Sequence, residues 1–110
     1  LGHAVGDKVL NEVATLMRGE CRPSDLVARI GGEEFALILP GLSQERGLEF
    51  CERLRACVER HGWGHLQPEL SVTLSIGLTQ WDGSAEVPEL LQAADIKLYR
   101  AKRAGRNQVA

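Results

Sequence analysis

Leu26-Val27-Ala28-Arg29-Ile30-Gly31-Gly32-Glu33-Glu34-Phe35-Ala36-Leu37-Ile38-Leu39 is the stretch that decides the fold of this chain. Two apolar runs flank a Gly-Gly step, and glycine accepts the positive φ that tight hairpin turns need. The economical reading is a strand from Leu26 to Ile30, a Gly31-Gly32 turn, and a strand from Phe35 to Leu39. The tip then carries two carboxylates, Glu33 and Glu34, beside two residues without side chains. Glycines let a ligand approach the backbone, and carboxylates hold hard cations such as Mg²⁺. The combination suggests a metal–phosphate site. Glutamates beside Gly-Gly also occur in solvated hairpins, so the context must decide between the two.

Upstream of the hairpin, Asp7 is read as the cap of a first helix. Val9, Leu10, Val13, Ala14, Leu16 and Met17 supply its apolar stripe, and Pro23 ends it. Pro40-Gly41 breaks the second strand. Ser43 is the expected cap of a second helix running to about His61, with Leu48, Cys51, Leu54 and Val58 at helical spacing. Gly62-Trp63-Gly64 reads as a loop. From Ser71 to Thr79 the chain alternates, with Val72, Leu74, Ile76 and Leu78 on one face, the pattern of a strand half-buried against helices. A third helix starts near Pro88, buries Leu91, Ala94, Leu98 and Ala101, and stops at Gly105. Asn107 to Val109 reads as a short edge strand. The order helix–strand–strand–helix–strand–helix lacks only a leading strand to become a βαββαβ unit, an α+β ferredoxin-like arrangement. That strand is expected before Leu1, so residues 1–110 read as one domain truncated at its N-terminus.

The chain has 110 residues, enough for one domain with one core. Its 44% hydrophobic and 25% charged residues are ordinary for a globular protein. A formal net charge of -2 gives no basic field for a nucleic acid polymer, so phosphate recognition must be local. No apolar run is long enough to span a membrane. Cys21, Cys51 and Cys57 lack metal-type spacing and fit reduced, packed thiols in a cytoplasmic setting.

Four blocks in order resemble the GGDEF family, the diguanylate cyclases, over essentially the whole chain. They are Gly2-His3-Ala4-Val5-Gly6-Asp7, then Gly31-Gly32-Glu33-Glu34-Phe35, then Ala94-Asp95 with Leu98-Tyr99-Arg100-Ala101-Lys102, and last Gly105-Arg106-Asn107. The resemblance implies condensation of two GTP into cyclic di-GMP and two pyrophosphates, with two subunits meeting face to face and Mg²⁺ (or Mn²⁺) at the phosphates. It implies that Glu33 is a metal-ligating catalytic carboxylate and that Glu34 assists with metal or the attacking hydroxyl. Gly31 and Gly32 would let the nucleotide lie close to the backbone, and Asp7 would read guanine. Lys102 and Arg106, taken as one helical turn apart, would hold the terminal phosphates. The plainer roles are a helix cap for Asp7 and solvated cations at a helix C-terminus for Lys102 and Arg106. His3 stays open, Asp95 and Tyr99 are read as braces of the last helix, and Leu98 is read as core.

Arg22-Pro23-Ser24-Asp25 has an Arg-x-x-Asp pattern at the distance from Gly31 that the family uses for an inhibitory product-binding site. Arg53 falls where the family places a further arginine. Arginine can donate two hydrogen bonds to guanine, and aspartate can accept from its amino edge. The alternative is a local Arg–Asp surface pair. The family's first strand supplies a further aspartate ligand, and the segment after it an asparagine for guanine, and neither is in this sequence. The fragment alone is therefore expected to turn over GTP weakly or not at all. Two functions remain: a cyclase with product feedback at Arg22 and Asp25, or a degenerate module that senses cyclic di-GMP.

Overall fold

The computed structural model describes residues 2–31, 34–81 and 83–110, with the side chains of Ile30 and Gly31 left aside. The elements run α1 (His3–Glu20), β1 (Leu26–Gly31), β2 (Glu34–Ile38), α2 (Gln44–Arg60) and α3 (Val87–Arg103), an α+β arrangement.

α1 begins one turn earlier than the Asp7 cap implies. Gly2 is its N-cap, in extended geometry, and Asp7 lies within the helix. The reason is packing: Val5, Val9 and Val13 recur every four residues, and Val5 already packs on the core. That ridge outweighs the cost of Gly6 in a helix, about 1 kcal/mol. The helix stops at Cys21, which is extended, two residues before Pro23.

β1 and β2 pair antiparallel, with Leu26 opposite Ile38 and Ala28 opposite Ala36. Gly31 is paired with Glu34 and so belongs to the strand, which runs one residue beyond the expected end at Ile30; Gly32 and Glu33, the other half of the expected turn, lie outside the described residues. The register is irregular between Arg29 and Gly31.

α2 starts where its sequence says. The Ser43 side chain accepts a hydrogen bond from the Arg46 N–H, and His61 is the C-cap. Its inner face is rotated from the expected stripe: Gly47 and Phe50 are buried with Cys51, Leu54 and Val58, whereas Leu48 is 47% exposed. Both stripes are compatible with a 3.6-residue period, and the Leu78 side chain packs 3.6 Å from where a Cβ on Gly47 would stand. The core joins Val9, Val13 and Met17 of α1 to Phe50, Cys51, Leu54 and Val58 of α2, closed by Trp63. The Trp63 indole N–H donates to the Val58 carbonyl at 3.0 Å. Burial pushes the Cys51 thiol up to about 11, so it stays protonated as an apolar filler.

Val72, Leu74, Ile76 and Leu78 face this core as their alternation requires. The segment is nonetheless not a regular strand. Its ladder is a single parallel bridge, Ile76 to Val109, with hydrogen bonds from Ile76 N–H to the Gln108 carbonyl and from Ala110 N–H to the Ile76 carbonyl. Among the described residues, no backbone hydrogen bond joins it to the β1–β2 hairpin. Alternation reports burial of one face, and a strand also needs neighbours at its edges. Gly77 brings this segment against α3: a Cβ there would stand 2.1 Å from the Ala94 carbonyl oxygen and 2.4 Å from the Leu98 nitrogen.

α3 buries Ala101, leaves Ala94 and Leu98 half-buried, and exposes Leu91 to 43%. It ends with Ala104 as C-cap and Gly105 at φ 123°. The Arg106 N–H returns to the Ala101 carbonyl and the Gly105 N–H to that of Lys102, which satisfies the last carbonyls of the helix.

Candidate functional site

The hairpin, the start of α1 and the end of α3 carry the first group of charged residues. Glu34 opens β2 and is exposed. Gly31 is described as backbone only, and Gly32 and Glu33 lie outside the described residues. Asp7 is exposed on the first turns of α1, and its position inside the helix removes the capping role and leaves its carboxylate facing solvent.

Lys102 is half-buried in the last turn of α3, and Arg106 is exposed beyond the C-cap. Their four-residue spacing is therefore not a helical turn, because Arg106 follows the helix stop in left-handed geometry at φ 64°. Among the described residues, the side chains of Asp7, Glu34, Lys102 and Arg106 form no hydrogen bond or ion pair. His3 is exposed at the start of α1, and Asp95 is exposed on α3. Tyr99 is 61% exposed, with the Arg103 guanidinium over its ring, so neither Asp95 nor Tyr99 braces the helix from within.

Asn107 has a separate job that its motif does not announce. Its amide oxygen accepts from Arg55 Nη1 at 2.8 Å, its Nδ2 donates to Glu59, and its backbone N–H donates to Ser75 Oγ. It thereby ties the end of the chain to α2. The Asn107 amide, and after it Arg55, hold the Glu59 carboxyl below the usual range.

The second group is tightly interlocked. Arg22 Nη2 meets Asp25 Oδ1 at 2.7 Å and Arg22 Nε meets the same oxygen at 3.1 Å. The Arg22 backbone N–H donates to Asp25 Oδ2 at 2.7 Å, and Nη2 also donates to the Pro40 carbonyl at 2.6 Å. The Asp25 side chain is 1% exposed and that of Arg22 44%. The Arg22 hydrogen bonds hold the Asp25 carboxyl below the usual carboxylate range. The pair is thus not a loose surface contact: Asp25 is committed to orienting Arg22, whose other face is open.

Arg22 borders a shallow groove shared with Arg46, Phe50 and Arg53 of α2 and with Glu20 and Glu49. Arg53 lies 5.3 Å from the Phe50 ring centroid and donates to Glu20 Oε2 at 3.3 Å. The structure therefore places Arg22, paired with Asp25, and Arg53 on one groove, the positions that the family resemblance singled out. Arg46 and Phe50 were missed there. Their signal was available: positions 46, 50 and 53 repeat at i, i+4, i+7 on one helix face. Three guanidinium groups beside an aromatic face suit a planar, anionic, hydrogen-bonding ligand.

The sequence pattern described as "Diguanylate cyclase, GGDEF domain" matches residues 1–108. The chain is 43% identical over 108 residues to the diguanylate cyclase DgcP of Pseudomonas aeruginosa, covering 98% of this chain and 16% of that protein. It is 40% identical over 111 residues to the response regulator PleD of Caulobacter vibrioides, covering 98% of this chain and 24% of that protein. Among solved structures it is similar to the GGDEF domain of DgcB from Caulobacter crescentus in complex with c-di-GMP. The TM-score there is 0.90 and the identity 30%, with 99% of this chain and 66% of that one covered.

Proposed function

This chain belongs to the diguanylate cyclase GGDEF family, and from that premise we propose that it is the catalytic domain of a protein that condenses two GTP into cyclic di-GMP. In each half-reaction the 3′-hydroxyl oxygen of one nucleotide bonds to the α-phosphorus of the other. The bond to the pyrophosphate oxygen breaks, and the hydroxyl proton leaves to a base or water. Two such steps give the cyclic product and two pyrophosphates, and they require two copies of the domain facing each other. The observation that carries the reading is the family match over residues 1–108. Among the described residues, Asp7, Glu34, Lys102 and Arg106 at its motif positions form no ion pair, which leaves their charges free to meet a ligand.

Within this reading Asp7 accepts hydrogen bonds from guanine N–H groups. Lys102 and Arg106 hold the terminal phosphates, and Gly31 and Gly32 admit the nucleotide to the backbone. Glu33 and Glu34 are the carboxylates available for Mg²⁺ or Mn²⁺, and oxygen donors of this kind fit a hard divalent ion. Such an ion supplies charge neutralisation at the phosphates and acidifies the attacking hydroxyl.

Cyclic di-GMP then binds as an inhibitor at Arg22 and Arg53, with Asp25 holding Arg22 in place. The buried, committed Asp25 carboxylate supports positioning over direct guanine contact. No helix among the described residues is long and apolar enough to cross a membrane. A cytoplasmic setting follows from the substrate, GTP.

The test is GTP turnover with Mg²⁺ by nucleotide-free protein, followed by chromatography of the products, on the chain extended upstream through a further strand. Cyclic di-GMP from the wild type and none from Glu33→Gln supports the cyclase. A folded dimer that makes no product yet binds cyclic di-GMP through Arg22 would instead be a sensor. Strong turnover by residues 1–110 alone would contradict the need for upstream groups.

A further inference from the structure

Beside the buried stripe of α1, one carboxylate faces two imidazoles. Glu12 Oε2 lies 2.9 Å from His61 Nε2, and Glu12 Oε1 lies 2.5 Å from His65 Nε2. All three potential ligand atoms lie within 4.8 Å of one another. The residues are 49 and 53 positions apart in the chain, so the fold, not local sequence, assembles them.

The loop that carries the histidines is held from below. His61 caps α2, Trp63 is 2% exposed and hydrogen-bonded to Val58, and Leu66 N–H closes back onto the Trp63 carbonyl. The His61 ring packs edge-on against Trp63 with centroids 4.6 Å apart. The loop anchor thus presents His61 and His65 on one side while Trp63 is buried on the other. The cluster itself remains open to solvent, with His65 53% and Glu12 31% exposed.

We propose that Glu12, His61 and His65 form a binding site for a divalent transition ion of the Zn²⁺ class, separate from the nucleotide site. Two imidazole nitrogens and one carboxylate oxygen are the donor set of a three-ligand zinc site, with the open side left for water or a fourth ligand. Imidazole suits Zn²⁺, Cu²⁺, Ni²⁺ or Co²⁺ and argues against Mg²⁺ or Ca²⁺. With bonds of about 2.0–2.1 Å, ligand atoms around a tetrahedral ion stand roughly 3.4 Å apart. The Glu12 oxygens and imidazole nitrogens therefore need to open by about an ångström or less, and a pair standing as far as 4.8 Å apart needs to close by about 1.4 Å, which side chains as exposed as these can do by rotation. Binding would replace the carboxylate–imidazole hydrogen bonds, with each Nε2 lone pair turned to the ion. A bound ion would tie α1 to the loop after α2.

The direct test is a Co²⁺ titration of metal-stripped protein, in reducing buffer with excess Mg²⁺ to occupy hard-oxygen sites. One equivalent should develop visible d–d absorption without a thiolate-to-cobalt band, and Zn²⁺ should displace it stoichiometrically. His65→Ala and Glu12→Gln should each weaken binding at least about 10–100-fold, since even partners one shell further out have effects of that size. Circular dichroism checks the fold, and if Glu12→Gln fails to fold, the more exposed His65→Ala decides. Unchanged affinity in the folded variants, a thiolate band from the cysteines, or no saturable binding would each overturn the site and leave a hydrogen-bonded latch.

Discussion

The Arg22 groove and the motif positions on α1, β2 and the end of α3 treat their charges in opposite ways. Around Arg22, the Arg22, Asp25, Arg53 and Glu20 side chains are already engaged with one another or with the backbone. Asp25 is buried and doubly bonded to Arg22, Arg22 also reaches the Pro40 carbonyl, and Arg53 is held by Glu20 over Phe50. By contrast, Asp7 on α1, Glu34 on β2, Lys102 on α3 and Arg106 just beyond it form no ion pairs with described residues. A groove whose arginine is set in advance loses little side-chain entropy when a ligand arrives. The difference teaches that the fold itself organises the Arg22 cluster, whereas among the described residues the motif charges are left to solvent.

The largest effect that separates the two regions comes from Glu33→Gln in the upstream-extended protein. It removes a carboxylate charge while keeping the size of the side chain. GTP turnover should fall by roughly 10²–10³-fold or more, the cost of losing one electrostatic stabiliser of a transition state. Product chromatography reads it, and near-normal turnover would break the contrast at its catalytic end.

Gly77→Ala should come next. Its new Cβ would collide with α3 backbone at 2.1 and 2.4 Å, and backbone cannot rotate away. Overpacking of this kind costs about 1–3 kcal/mol. Urea denaturation checks the loss. Because α3 carries Lys102 and leads to Arg106, GTP affinity should suffer more than cyclic di-GMP affinity. Equal losses at both sites would mean that the regions are mechanically one.

A smaller effect is expected from pH. The Arg22 hydrogen bonds lower the Asp25 pKa in the folded state from its ordinary 3.8. A lowered carboxyl pKa contributes stability that is fully present above the unfolded value and is lost as pH falls through the folded one. The stability gap between wild type and Asp25→Asn should therefore be constant near neutrality and shrink below about pH 4. Thermal melts across that range measure it, and a gap that widens with acid would contradict the Arg22–Asp25 interlock.

What the sequence made legible was local chemistry. Ser43 announced the start of α2, Gly105 the end of α3, and the apolar runs on either side of residues 31–34 the hairpin. Arg22 and Asp25 were legible for the same reason, being three residues apart. What stayed hidden depends on distant partners. Which face of α2 turns inward was settled by Leu78 against Gly47, so Phe50 is buried and Leu48 is not. The alternation of Val72 to Leu78 predicted burial correctly but could not supply a neighbouring strand. Asp7 looked like a cap because the contribution of Val5 to the core is a tertiary contact. The Glu12–His61–His65 cluster had no signature beyond a His-x₃-His spacing, since its carboxylate comes from another helix.

The central claim is that the two charged regions are separate sites, and calorimetric titration of cyclic di-GMP into Arg22→Ala and Glu33→Gln tests it most directly. Arg22→Ala should weaken binding by about 1–3 kcal/mol, the worth of a bidentate arginine contact to guanine, while Glu33→Gln should bind like the wild type. Undiminished binding by Arg22→Ala, or an equal loss in Glu33→Gln, would contradict it.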